Sequence, residues 1–226
     1  MRQDWRRIAS ELDEQGWAIL PHLMNDLGCN AATGLYDQDD VFRSRVVMAR
    51  HGFGQGEYRY FSYPLPGAIQ TLRGALYPHL SHIANGWQPG RETRFPTDHT
   101  HYLEHCHAQG QMRPTPLLLR YGPGDYNCLH QDLYGAEVFP LQVAVLLSQP
   151  GTDFTGGEFV LTEQRPRMQS RVMVVPLNKG DGVVFAVNSR PVKGTRGIYH
   201  VKMRHGVSRL LTGQRHVLGL IFHDAA

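Results

Sequence analysis

The sequence predicts an α+β fold, with N-terminal helices packed against a C-terminal jelly roll or barrel. Two observations carry this. Residues 1–112 hold capped, amphipathic segments with helical spacing. Residues 113–224 hold seven short runs rich in β-branched and aromatic residues, separated by Gly, Pro, Asn and Asp. The 226 residues, 41% hydrophobic and 19% charged, suit one domain with a real core: a helical support and substrate region, then the β core.

The first helix is read from Trp5, Ile8, Ala9 and Leu12, at i, i+3, i+4 and i+7, with Gly16 as its stop. "WAILPHLM" then reads as a short strand entering a turn. A second helix is expected from Pro66 to Trp87. Its apolar stripe is Ala68, Leu72, Ala75, Leu76, Leu80 and Ile83, with a kink at Pro78. "TDHTHYLEHCHAQG" reads as a third helix, capped by Thr97 or Asp98 and stopped by Gly110. The strand runs follow: "TPLLLRY", "FPLQVAVLLS", "GEFVLTE", "SRVMVVPL", "DGVVFAVN", "GIYHVKM" and "RHVLGLIFH".

No apolar run is long enough to span a bilayer, and the charged N-terminus lacks the apolar centre of a signal peptide. Cys29, Cys106 and Cys128 are odd in number and widely spaced, which argues against a disulfide framework or a thiolate zinc site and for the cytoplasm. Between residues 165 and 215 stand eleven Lys and Arg against one acid, Asp181. That stretch is +10, leaving −7 for the rest of a chain whose net charge is +3. Such asymmetry points to an anionic partner, against the plainer reading of solvated strand faces.

Chemistry concentrates in "RYGPGDYNCLHQDLYG", residues 120–135. On a strand, His130 and Asp132 share one side and Gln131 takes the other. One imidazole and one carboxylate are two thirds of a 2-His-1-carboxylate facial triad. His205 is the candidate third ligand. Ten residues later Arg215 opens the last run, where a guanidinium can grip a carboxylate bidentately.

With these residues in order, the chain resembles the Fe(II)/2-oxoglutarate-dependent dioxygenases over about residues 113–224. "TGGEFVL" and "HGVSRLLTGQR" look like that family, and "RYGPGDYNCLHQD" is similar to the segment opening the site in AlkB-type nucleic-acid dealkylases. The resemblance implies a double-stranded β-helix and Fe(II) held by His130, Asp132 and His205. It also implies 2-oxoglutarate held at its C5 carboxylate by Arg215 and Tyr121, with O2 as oxidant and ascorbate as a supporting reductant. The layout looks like bacterial oxygenases proposed to demethylate damaged nucleic acid, a DNA-repair reaction. Leu119 and Ile221 depart from the AlkB pattern, which has Asn and a second Arg there, and the ten-residue gap from His205 to Arg215 is more like prolyl hydroxylases. Hydroxylation of a protein side chain or a small metabolite is therefore the alternative. Candidate substrate contacts are Tyr134, Glu137, Arg59 and Tyr60, the loop 188–197 for phosphates, and Lys202 and Arg204 for anions at the rim.

Two rival readings exist. "HYLEH", residues 101–105, matches the inverted zinc-protease motif, with His101 and His105 as ligands and Glu104 as base, in a stretch that also contains His99 and His107. A non-catalytic cupin-like binding module would account for the β texture but calls for neither Tyr121 nor Arg215.

Overall fold

The computed structural model describes residues 3–133, 135–195 and 197–226. Its helices are α1 (Trp5–Gln15), α2 (Asp26–Gly34), α3 (Gly67–Trp87) and α4 (His99–Ala108). The strands of the N-terminal half are β1 (Trp17–Leu20), β2 (Phe42–Val47), β3 (Gly54–Gln55) and β4 (Glu57–Phe61). Those that follow are β5 (Leu117–Tyr121), β6 (Tyr126–His130), β7 (Leu141–Leu146), β8 (Phe154–Gly156), β9 (Phe159–Gln164), β10 (Arg171–Val175), β11 (Gly182–Ala186), β12 (Ser189–Gly194), β13 (Gly197–Val207), β14 (Leu210–Gly213) and β15 (Arg215–Leu220).

A seven-stranded antiparallel sheet, β1-β11-β7-β15-β5-β4-β2, faces a smaller one, β10-β9-β13-β6-β3, onto which β12 pairs through β13. The pair β14-β8 stands apart. This is a jelly-roll core, and all seven expected runs are strands. The N-terminal half is not helical alone: β1, β2 and β4 extend the large sheet to both its edges.

The large sheet is buried on both faces. Val143, Val145, Leu218 and Leu220 face outward into a core shared with α1 to α4. Ala144, Leu146 and Val217 face inward toward Phe159, Leu161 and Val207 of the small sheet. A strand covered on both sides needs no polar alternation, which is why "LQVAVL" reads as a continuous apolar run.

The helix ends follow local chemistry. The Asp4 carboxylate accepts from the Arg6 and Arg7 amides, and Gly16 closes α1 at φ +83°. The Asp98 carboxylate caps α4 through the Thr100 and His101 amides. Pro66 is the residue before α3 rather than its first helical position. α3 continues through Pro78, and its buried face is rotated from the expected stripe. Ile69, Arg73, Leu76, Leu80, Ile83 and Trp87 point in, while Ala68 and Ala75 are exposed. The cause is Arg73, fully buried beside Asp224 at 3.0 Å, so that a charged residue lies on the core face. The helix α2 has no counterpart in the sequence reading. It contains two glycines, buries only Cys29 and Ala32, and is held at its start by Asn25 accepting from the Gly28 amide. All three cysteines are free. Among the described residues no helix is long and apolar enough to cross a membrane.

Candidate metal centre

Two strands of the small sheet bring the triad together. His130 is the last residue of β6 and pairs in register with His205 of β13. The register then slips, so that Val207 opposes Asn127: the bulge is in β6, where Cys128 and Leu129 face the single residue Gly206 of β13. A Cβ at Gly206 would lie 2.6 Å from the Asn127 carbonyl oxygen, so only glycine fits opposite this bulge without displacement. Asp132 lies beyond the strand, and the pleat does not orient it. Gln131 does so instead. Its amide donates to the Asn188 carbonyl (3.1 Å), the Asn188 side-chain oxygen (2.8 Å) and the Met203 carbonyl (2.8 Å), fixing the chain between the two candidate ligands.

The Asp132 carboxylate stands 3.5 Å from His130 Nε2 through Oδ1 and 3.4 Å from His205 Nε2 through Oδ2. The three ligand atoms lie within 4.8 Å of one another. Among the described residues this is the one group of three or more such side chains so placed. Two imidazoles and a carboxylate converging from one side suit a first-row divalent metal with open positions opposite. His130 Nδ1 lies 2.8 Å from the Cys128 carbonyl. A carbonyl only accepts, so the proton sits on Nδ1 and the Nε2 lone pair faces Asp132. Burial first, and His205 second, hold the His130 pKa below its ordinary value and favour the neutral, ligating form.

The triad opens into a cavity of about 400 Å³ between the sheets, lined also by Tyr121 and Arg215. Arg215 begins β15 and pairs with Tyr121 of β5. Its guanidinium carbon lies 5.5 Å from the centre of the Tyr121 ring and 5.8 Å from that of Phe154. Arg215 is 2% exposed, yet its Nε and Nη1 have no hydrogen-bond partner. Burial pulls its pKa down to about 10. The Tyr121 hydroxyl, pushed up to about 12 by burial, accepts from Asn127 Nδ2 at 3.4 Å. A buried cation with unpaired N–H groups is costly unless an anion completes it, and a carboxylate matches its fork. The donor set thus fits both groups that the sequence implies, a divalent iron and a dicarboxylate.

Of the expected substrate contacts, Tyr60 lines the cavity together with Tyr58. Arg59, between them on β4, points the other way; it pairs with Asp39 and stacks 4.9 Å from the Tyr36 ring. Glu137 is also displaced from the cavity. It pairs with Arg91 and with His105 at 3.3 Å, and its main-chain amide donates to Gln111 Oε1. Tyr134 lies outside the described residues. Lys202 and Arg204 are exposed on the face of β13 opposite Val201, Met203 and His205, away from the cavity. The presumed loop 188–197 is largely strand β12. Its Arg190 is buried, pairs with Glu163 and donates to the Asp13 carbonyl. Arg165 also pairs with Glu163, so part of the basic excess is internal.

The histidines of α4 serve the fold. His99 Nε2 is 2.8 Å from the Phe222 carbonyl, and His107 Nε2 is 2.9 Å from the Asp224 carboxylate. His105 meets Glu137, and His101 is exposed, so the described residues gather no zinc site there. Two further residues belong to the cavity, Phe53 from the aromatic-rich stretch 53–63 and Gln142, which went unread in the sequence. Phe53, 48% exposed and stacked on His51 at 5.3 Å, stands at the cavity mouth with Leu129. Gln142, the one polar residue of β7, lines the interior.

Residues 56–225 match the model of a family described as an oxygenase catalysing oxidative methylation of damaged DNA. The chain belongs to this oxygenase family. The oxygenase is also similar to two uncharacterized proteins from two strains of Mycobacterium tuberculosis, each 52% identical over 168 residues, 74% of this chain and 72% of the relative. Its fold resembles that of a Pseudomonas putida prolyl-4-hydroxylase, with a TM-score of 0.56 and 13% identity over 99% of this chain and 100% of that one. It also resembles an oxidoreductase of the 2OG-Fe(II) oxygenase family from Burkholderia pseudomallei, with a TM-score of 0.57 and 16% identity over 100% and 96% of the two chains. The family match and this fold put the oxygenase in the Fe(II)/2-oxoglutarate-dependent dioxygenase superfamily.

Proposed function

We propose that this oxygenase uses Fe(II), 2-oxoglutarate and O2 to remove methyl groups oxidatively from alkylated nucleic-acid bases. His130, Asp132 and His205 hold the metal, and Arg215 with Tyr121 holds the far carboxylate of 2-oxoglutarate. One observation carries the reading: the triad and the unpaired, buried Arg215 line the same cavity. When bound, iron and 2-oxoglutarate supply the oxidising power for C–H hydroxylation, as 2-oxoglutarate becomes succinate and CO2. The chain's own residues do the rest. The triad approaches from one side and leaves the other for ligands. Arg215 aligns the co-substrate along the cavity, while Phe159, Phe185 and Val217 line it with apolar surface that excludes water.

The family description supports a nucleic-acid substrate. Oxidation removes rather than adds a methyl group: a hydroxylated N-methyl carbon leaves as formaldehyde. Phe53 and Leu129 offer a flat apolar rim at the mouth, a surface suited to the face of a base. Three free cysteines suit the reducing cytoplasm. The test is a succinate-release screen with Fe(II) and ascorbate, offering methylated single-stranded DNA, methylated RNA, peptides and amino acids in parallel. Succinate and formaldehyde are expected in equal amounts with methylated nucleic acid. Coupled turnover with peptides or amino acids alone would replace demethylation by hydroxylation of that class.

A further inference from the structure

We infer that Gln142 is a third anchor for 2-oxoglutarate, its side-chain amide donating to the carboxylate at the metal end of the co-substrate. The inference rests on the dioxygenase reading above.

Gln142 is 4% exposed and lies on the inward face of β7 with Ala144 and Leu146. Its Nε2 is buried and has no hydrogen-bond partner. A buried amide left unpaired opposes folding, and an apolar side chain at this point of "LQVAVL" would not. A polar group kept in such a place indicates a ligand.

Its position says which end of the ligand it meets. Gln142 pairs across the sheet with Phe185, whose ring lies 4.6 Å from that of His205. Along the neighbouring β15, Val217 pairs with Leu146 and Gly219 with Ala144. One further step of two residues along each strand sets Ile221 beside Gln142, while one step the other way leads to Arg215. The inward face therefore runs from the Arg215 grip, past Val217 and Gly219, to Ile221 and Gln142 near the triad.

A dicarboxylate needs a donor at each end. Ile221 supplies none. The other side-chain amides and the tyrosine pair are engaged: Asn127 Nδ2 with the Tyr121 hydroxyl, Gln131 Nε2 with Asn188 and Met203, and the Tyr58 and Tyr60 hydroxyls with each other. His205 Nδ1 also lacks a partner, but it belongs to a ring whose Nε2 faces the metal position. Gln142 is the buried amide left over at the end where it is required.

The test is an anaerobic titration of the Fe(II)-loaded protein with 2-oxoglutarate, read by the metal-to-ligand charge-transfer absorption and repeated by calorimetry with Mn(II) in place of iron. Gln142→Leu is expected to weaken 2-oxoglutarate binding about tenfold or more and to shift the absorption band, as loss of a hydrogen bond to a charged group does. Gln142→Glu should weaken it further by like-charge repulsion. Gln142→Met, nearly the same length, decides the matter in the same way should the leucine variant not fold. Affinity within twofold of wild type and an unmoved band in these variants would overturn the assignment while leaving the dioxygenase reading intact. A wild-type protein that binds no 2-oxoglutarate would sink both.

Discussion

The Arg215 guanidinium carbon lies 5.5 Å from the centre of the Tyr121 ring, and the two residues are direct partners across β15 and β5. Tyr121 precedes the first candidate ligand by nine residues and Arg215 follows the last by ten, yet sheet pairing makes them one wall of the cavity. That pairing holds a cation at the closed end, where its Nε and Nη1 still lack partners.

Arg215→Met should therefore separate stability from function. Removing a buried, incompletely paired cation leaves the melting temperature of the ligand-free protein unchanged or higher. The apparent KM for 2-oxoglutarate should rise by about tenfold to a hundredfold, and the thermal stabilisation by 2-oxoglutarate should disappear. Thermal-shift titration with and without 2-oxoglutarate measures both effects. An unchanged shift in the variant would contradict the carboxylate grip.

His130→Ala, Asp132→Ala and His205→Ala should each abolish succinate formation, because each removes one of three ligands from a site with no spare side chain among the described residues. Chelation of wild-type protein should do the same, and added Fe(II) should restore only wild type. Residual turnover in His130→Ala together with loss in His101→Ala would shift the metal to α4.

Gly157 ties the expected "TGG" segment to Arg215. It adopts φ +63°, and a Cβ there would lie 2.7 Å from Leu210 Cδ1 and 3.1 Å from Arg215 Cδ. Gly157→Ala should cost on the order of 1–2 kcal/mol in urea unfolding, from backbone strain and crowding. It should also raise the KM for 2-oxoglutarate, since the crowded atom belongs to the anchoring side chain. Full retention of both quantities would show that Arg215 does not depend on this turn.

Acid stability should depend on His99 and His223. Burial first, then the Arg73 charge, lowers both pKa values from 6.5 to about 4. The unfolded chain thus binds more protons than the folded one below about pH 6.5. Stability from these groups is complete above that pH and is lost as pH falls toward 4. The loss is on the order of 2 kcal/mol per histidine near pH 4. His99→Gln and His223→Gln should flatten the fall in melting temperature between pH 6.5 and 4. A parallel fall in wild type and variants would assign acid sensitivity to other groups.

Much of this was legible along the chain because its causes are local. Asp98 and Gly16 end helices through neighbouring atoms, and β-branched runs between turn residues became strands wherever they were expected. The candidate ligands were legible because a metal demands particular side chains at short spacing. Arg59 and Glu137 were misread because charge in the sequence carries no direction: each answers a partner remote in the chain, Asp39 for the first and Arg91 for the second. Arg190 had the same fate, its charge spent on Glu163 inside the fold rather than at a phosphate. Gln142 carried a signal, a lone amide in an apolar strand, but its meaning depends on which face of β7 meets the cavity.

By itself the sequence determined the kind of fold, the order of its strands along the chain and the residues able to hold a metal and a carboxylate. These follow from local preference and side-chain chemistry. Tertiary structure alone decided that His130 and His205 stand opposite each other beside a bulge in β6, that Arg215 is buried with Nε and Nη1 unpartnered, and that Gln142 lines the cavity across from Phe185. Those facts depend on strand register and on which sheet covers which face, and register arises only when segments distant in the chain pair.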